Sequence, residues 1–116
     1  MLIAFAGLPG TGKTTIASAL ASELAATHAS VDDAEASMLA AGIDAEQPTG
    51  LAAYLVVEQI ARRQLVAGGH VVVDAVNDAP QARAQWRDLA ASTGAALRWV
   101  EVRLDDETEH RRRLDE

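Results

Sequence analysis

The stretch Gly7-Leu8-Pro9-Gly10-Thr11-Gly12-Lys13-Thr14, followed by Thr15, constrains this chain more than any other. It fits the spacing G-x-x-x-x-G-K-[ST] of a phosphate-binding loop. From this composition such a match arises by accident only about 5 times in 10,000. The flanks agree with it. Leu2 to Ala6 is an apolar run with the length of a buried strand, and the Ala/Leu-rich segment that follows reads as a helix over 13–27. Glycines let the backbone turn so that successive N–H groups point at one anion, and the helix N-terminus adds the positive end of its dipole. Lys13 would reach the β- and γ-phosphates, and the Thr14 hydroxyl would ligate Mg²⁺. Lys13 is also the only lysine among 10 cationic residues.

Along the rest of the chain strand and helix signals alternate. Residues 28–31 are a weak second strand, followed by Asp32-Asp33 and a short helix that stops at Gly42. Residues 43–49 read as loop, with Thr49 as the cap of a helix over 51–67. In that helix Leu51, Tyr54, Leu55, Ile60, Ala61 and Leu65 fall near helical spacing as its buried side. Gly68-Gly69 ends it. His70 to Asp74 is the clearest strand, three valines with an acid at the carboxyl end. Asn77 or Asp78 can cap the next helix, with Pro80 in its first turn and Trp86, Leu89 and Ala90 as its buried side. After Gly94, residues 97–104 form a strand with Leu97, Trp99, Glu101 and Arg103 on one face, and a last helix begins at Thr108.

This alternation predicts a parallel α/β sheet with right-handed crossovers, whose ligands bind beyond the carboxyl ends of the strands. The Gly7–Thr15 loop, Asp32-Asp33 and Asp74 all fall on that edge. Asp74 is placed to hold Mg²⁺. Two adjacent carboxylates beside a phosphate donor suit one base and one metal or structural role, with Asp32 favoured as the base and plain helix capping as the bland alternative. Arg83 and Arg87 read as a solvated helix face. His28, His70 and His110 lack metal-ligand spacing and read as surface or strand-flank residues. Tyr54 reads as core-facing, with lining of an acceptor pocket as the alternative.

Composition narrows the remaining classes. At 116 residues the chain is one domain, 1–116. It has no cysteine, hence no disulfide framework or thiolate metal site. No basic leader and no membrane-length apolar run is present, so a cytoplasmic location is the expectation. A net charge of −7 disfavours an extended nucleic-acid track and fits a small anionic ligand held by a few focused cations. A guanine-specific N-K-x-D is impossible with Lys13 as the only lysine, which argues against a GTPase.

Taken together, Gly7 to Thr15, Asp32-Asp33, Gly68 to Asn77, Arg83 with Trp86, and the run Arg111-Arg112-Arg113 resemble the P-loop small-molecule kinases of the AAA_33 type. That group is similar to chloramphenicol phosphotransferase, the zeta toxins and the kinase half of polynucleotide kinase. The resemblance implies a P-loop NTPase three-layer sandwich with strand order 2-3-1-4, a fifth strand apparently missing, so that the chain reads as C-terminally truncated. It implies transfer of the γ-phosphoryl group of MgATP to a hydroxyl of a small molecule, the alternative being a non-catalytic or regulatory ATP-binding domain. Gly7, Pro9, Gly10, Thr11, Gly12, Lys13, Thr14 and Thr15 would hold the nucleotide, and Thr14 and Asp74 the Mg²⁺. Lys13, Asp32 as base, and Arg112 of the lid run would be catalytic. Two departures stand out. Val76 replaces the usual Thr, and Glu35 stands where an Arg often follows the acid pair. The second argues against a phosphorylated or polynucleotide acceptor. The uncovered fourth strand points to self-association through its edge.

Overall fold

The computed structural model describes residues 1–8 and 11–102, so Pro9, Gly10, Arg103, His110 and Arg111 to Arg113 lie outside the described residues. The chain runs β1 (Leu2–Ala6), α1 (Lys13–Leu24), β2 (Thr27–Ser30), α2 (Val31–Ala40), α3 (Thr49–Val66), β3 (Val71–Asp74), α4 (Pro80–Thr93) and β4 (Leu97–Glu101). The four strands form one parallel sheet in the order β2-β3-β1-β4. Fully buried β1 and β3 read as unbroken apolar runs because both faces of a parallel sheet are covered.

Side-chain alternation sorts the core into two layers. Leu2, Ala4, Val71, Val73 and Ala29 point to one face, where they meet α2, α3 and α4 through residues such as Val31, Val57 and Trp86. Ile3, Phe5 and Val72 point to the other, against Ala17 and Ala21 of α1. The result is a three-layer sandwich. On α1 the buried positions are Lys13, Ala17 and Ala21, four residues apart, with Leu20 and Leu24 packed beside them, and the small Ala17 and Ala21 let the helix seat close to the sheet.

Several expected details shift. Helix α1 ends at Leu24 rather than 27, because Ala25 adopts a left-handed φ of 54° and the N–H of Ala26 folds back to Ala21 O at 2.8 Å. Thr49 is not a cap but lies inside α3, buried, donating its hydroxyl to Glu35 Oε2 at 2.7 Å. The buried stripe of α3 is Thr49, Ala53, Val57, Ala61 and Leu65. Leu51, Leu55 and Ile60, grouped with Ala61 and Leu65 by near-helical spacing, are exposed. α3 packs against α2 and α4 as well as the sheet, and small residues at strict four-residue spacing permit that approach. Neither Asn77 nor Asp78 caps α4. Its N-cap is Ala79, and Asn77 is fully buried.

Candidate functional site

The parity of β3 decides what its terminal acid can touch. Asp74 shares the α1 side of the sheet with Val72, and the first residue of α1 is Lys13. Lys13 Nζ lies 2.9 Å from Asp74 Oδ1, and the two side chains are only 3% and 1% exposed. Neither atom has a further hydrogen-bond partner among the described residues. His28 stands on the same side of β2, and its Nε2 lies 3.3 Å from Asp74 Oδ2. Burial pushes the Asp74 carboxyl up. Hydrogen bonds from Lys13, Thr14 and His28, with the Lys13 charge, outweigh burial and hold it below the ordinary carboxylate value. Asp74 is therefore ionised at neutral pH. His28 is the participant that reading the sequence missed. Its signal lay in strand parity, because a residue two before Ser30 on a strand beside β3 must face the way Asp74 faces.

Gly7 and Gly12, the described glycines of the loop before α1, both have the positive φ that a tight phosphate-binding turn uses. Gly7 has φ 145°, and a Cβ there would strike the carbonyl of Val102. Its N–H donates to Val76 O at 3.1 Å, which ties the loop to the end of β3. Gly12 has φ 86° with nothing near a Cβ placed on it, so its surroundings are open. Thr11 donates its hydroxyl to Leu8 O at 2.8 Å and closes the turn. Gly12 offers no side-chain cap, and no acid lies in the first turn of α1. The helix N–H groups therefore face outward for an anion. Thr14 and Thr15 are exposed on this first turn.

The acid pair resolves differently from plain capping. Ser30 is the N-cap of α2, its Oγ accepting from Asp33 N–H at 3.1 Å. Asp32 and Asp33 are exposed in the first turn. The Tyr54 hydroxyl, on the neighbouring helix α3, accepts from Asn77 N–H at 3.2 Å. Burial first, then the charges of Asp78 and Asp32, push the Tyr54 phenol up despite that hydrogen bond. Tyr54 is half-buried, its ring packed against the core with its centroid 6.2 Å from that of Trp86, as expected.

Asn77 supports the site without entering it. Its amide donates to Phe5 O at 2.8 Å, and its Oδ1 accepts from Trp86 Nε1 at 2.8 Å. One side chain thereby locks the end of β1, the turn after β3 and α4 together. Arg83 is not solvated as expected. Its guanidinium lies 5.2 Å over the ring of Trp99. Glu35, where related kinases often carry Arg, is held by Thr49 and braces α2 against α3.

The residues fit a nucleotide with Mg²⁺. A buried ammonium and a carboxylate oxygen with no partner beyond each other, beside outward N–H groups, are what a phosphate and a hard cation would engage. Thr14 and Asp74 supply oxygen donors, and among the described residues no cluster of three or more His, Cys, Asp or Glu offers an all-protein metal cage. Mg²⁺ is characteristically held by one or two side chains plus phosphate oxygens.

A family model described as AAA domain, AAA_33, matches residues 2–115. The chain belongs to this AAA domain family. Three solved structures illustrate how the family's chain compares. A protein of Chloroflexus aurantiacus, provisionally designated a kinase, is 22% identical with a TM-score of 0.81 over 98% of this chain and 64% of its own. The APS kinase of Mycobacterium tuberculosis, solved with AMPPNP and APS, is 23% identical with a TM-score of 0.70 over 96% and 66%. APE1195 is 27% identical with a TM-score of 0.70 over 97% and 67%. No sequence among curated proteins matches. The chain thus spans slightly under two thirds of the Chloroflexus protein and has the fold of a P-loop kinase domain. Among the described residues no helix is long and apolar enough to cross a membrane.

Proposed function

We propose that this AAA domain is an ATP-dependent phosphotransferase that moves the γ-phosphoryl group of MgATP to the hydroxyl of a small molecule. The observation that carries the reading is the buried Lys13–Asp74 contact at the mouth of the Gly7–Thr15 loop. An ammonium and a carboxylate from separate elements meet where a triphosphate on that loop would end. Thr14 and Asp74 would hold Mg²⁺, which when bound neutralises charge developing on the phosphates. Lys13 would leave Asp74 for the β- and γ-oxygens. His28 keeps Asp74 oriented through that exchange.

Asp32 is exposed on the acceptor side and would accept the proton of the acceptor hydroxyl. The new O–P bond forms as the bond between the γ-phosphorus and the bridging oxygen breaks, and that electron pair leaves with ADP. Positioning and electrostatics supply most of the acceleration in such transfers. The lid cation assigned to Arg112 lies outside the described residues.

The test is ADP release across a panel of alcohols, with binding of MgATP measured separately. Asp32→Asn should lower kcat by roughly 10²–10⁴, the usual share of general base catalysis, with ATP affinity unchanged. A larger loss in Asp33→Asn than in Asp32→Asn would reverse the pair. The alternative is a domain that binds ATP without turning it over. MgATP binding with no ADP release from any alcohol would establish that reading instead.

A further inference from the structure

A groove of about 370 Å³ runs between α3 and α4, walled by Leu51, Tyr54, Leu55, Ala79 and Ala82, with Glu58, Gln81 and Gln85 at its polar margin. Its volume is that of a small-molecule site. Leu51 and Leu55 are 63% and 55% exposed, although they stand one helical turn apart beside a concavity that would cover them. The groove is tied to the phosphate loop. Tyr54 at its inner end accepts from Asn77 N–H, Asn77 is bonded to Phe5 O at the end of β1, and Asp32 acts on the same phenol. Among the described residues nothing accepts the Tyr54 proton, so this hydroxyl can donate into the groove.

We propose that this groove is the acceptor site and that it selects a small alcohol with an apolar body and no anionic group. This rests on the phosphotransferase reading above. The selection follows from charge. Among the described residues no cation lines the groove, while Glu58 lies in it and the charges of Asp78 and Asp32 act on the Tyr54 hydroxyl. Glu58 is held there, Oε1 accepting from Gln85 Nε2 at 2.8 Å and Oε2 from Arg62 at 3.1 Å. A phosphate or carboxylate on the ligand would find no cation to receive it among the described lining residues and would meet the charges of Asp78 and Asp32 at Tyr54. A neutral or amine-bearing body would lie on Leu51, Leu55 and Ala82, its hydroxyl at Tyr54 and Asp32. The transfer is that already written, with the alcohol proton passing to Asp32 as the O–P bond forms and ADP departs.

A matched series tests this on the full chain: 3-phenylpropane-1,2-diol (neutral), phenylalaninol (cationic) and phenyllactate (anionic). Binding is read from methyl NMR shifts of Leu51 and Leu55, ADP release in parallel. The neutral and cationic probes should shift those methyls saturably and release ADP, with phenyllactate at least tenfold weaker. Leu55→Arg, at an exposed position, should narrow that gap about tenfold in favour of phenyllactate while MgATP affinity stays unchanged. Equal binding of all three probes overturns the charge selection. Shifts spread equally to Leu8 and Leu39 overturn the site. ADP release insensitive to Leu55→Arg removes the groove from the reaction but leaves the kinase reading standing. Saturable groove binding with no ADP release overturns the acceptor role, while the kinase reading stands or falls on the wider alcohol panel.

Discussion

Lys13 has two tasks in this molecule, and they can be separated. In an exposed loop, Lys13→Met would cost activity alone. Here the ammonium is the main counter-charge of a buried carboxylate, so its loss leaves Asp74 with His28 and Thr14 only. Breaking a buried pair from one side typically costs about 3 kcal/mol or more, because the remaining charge stays desolvated. We expect Lys13→Met to lose about that much stability in urea at neutral pH, and the double variant with Asp74→Asn to recover a large part of it. The sign with pH follows from the lowered carboxyl of Asp74. Its contribution is full above the unfolded carboxylate value, about pH 4, and fades as pH falls through the lower folded value. Denaturant midpoints from pH 7 to pH 3 should therefore fall less steeply in Asp74→Asn than in the parent. Identical slopes would show that Asp74 does not carry this linkage. The phosphate loop and Asp74 were legible in the chain because backbone geometry and strand termination are local properties. His28 was not, because its partner lies on another strand and only sheet pairing brings them within 3.3 Å.

At the scale of elements, the positions of helices and strands followed from periodicity and from Gly and Pro, whereas caps and faces did not. Thr49 and Asn77 have the chemistry of capping residues. Each instead found a longer-range partner, Glu35 for Thr49, and Phe5 O with Trp86 for Asn77. Helical spacing put Ala61 and Leu65 inside α3 but did not separate them from Leu51, Leu55 and Ile60, which are exposed. With neighbours on several sides, Ala53 and Ala61 are inside, and Leu51 and Leu55 are left for the groove. The end of α1 carries an unforced cost. Ala25 sits at φ 54°, ψ 41°, where a Cβ meets the following carbonyl and glycine is the usual residue. Ala25 is exposed, so no packing is lost by removing its methyl group. Ala25→Gly should raise stability by about 0.5–1 kcal/mol, the αL strain relieved less the extra entropy of an unfolded glycine. Thermal melting at neutral pH checks this, and a lowered melting temperature would mean that the left-handed cap is not retained in solution.

For the whole molecule the open question is the outer edge of the sheet. Among the described residues β4 pairs only with β1. Leu2 N–H donates to Ala96 O, and Val102 N–H donates to Ala6 O. In a parallel ladder the bonding residues then alternate, so Arg98, Val100 and Val102 face β1, and the N–H groups of Leu97, Trp99 and Glu101 face away from it. Arg98 and Glu101 are exposed charged residues on this strand, a feature that discourages indiscriminate edge pairing without preventing a specific one. The self-association proposed through this edge has a residue-resolved signature in amide hydrogen exchange. In dilute solution Arg98, Val100 and Val102 should be protected, while Leu97, Trp99 and Glu101 exchange fast. With rising protein concentration the second set should slow, and the first should not change. Protection of both sets at every concentration would instead place a strand of the same chain on that edge. Fast exchange of Leu97, Trp99 and Glu101 at all concentrations would show that copies of this chain do not meet there.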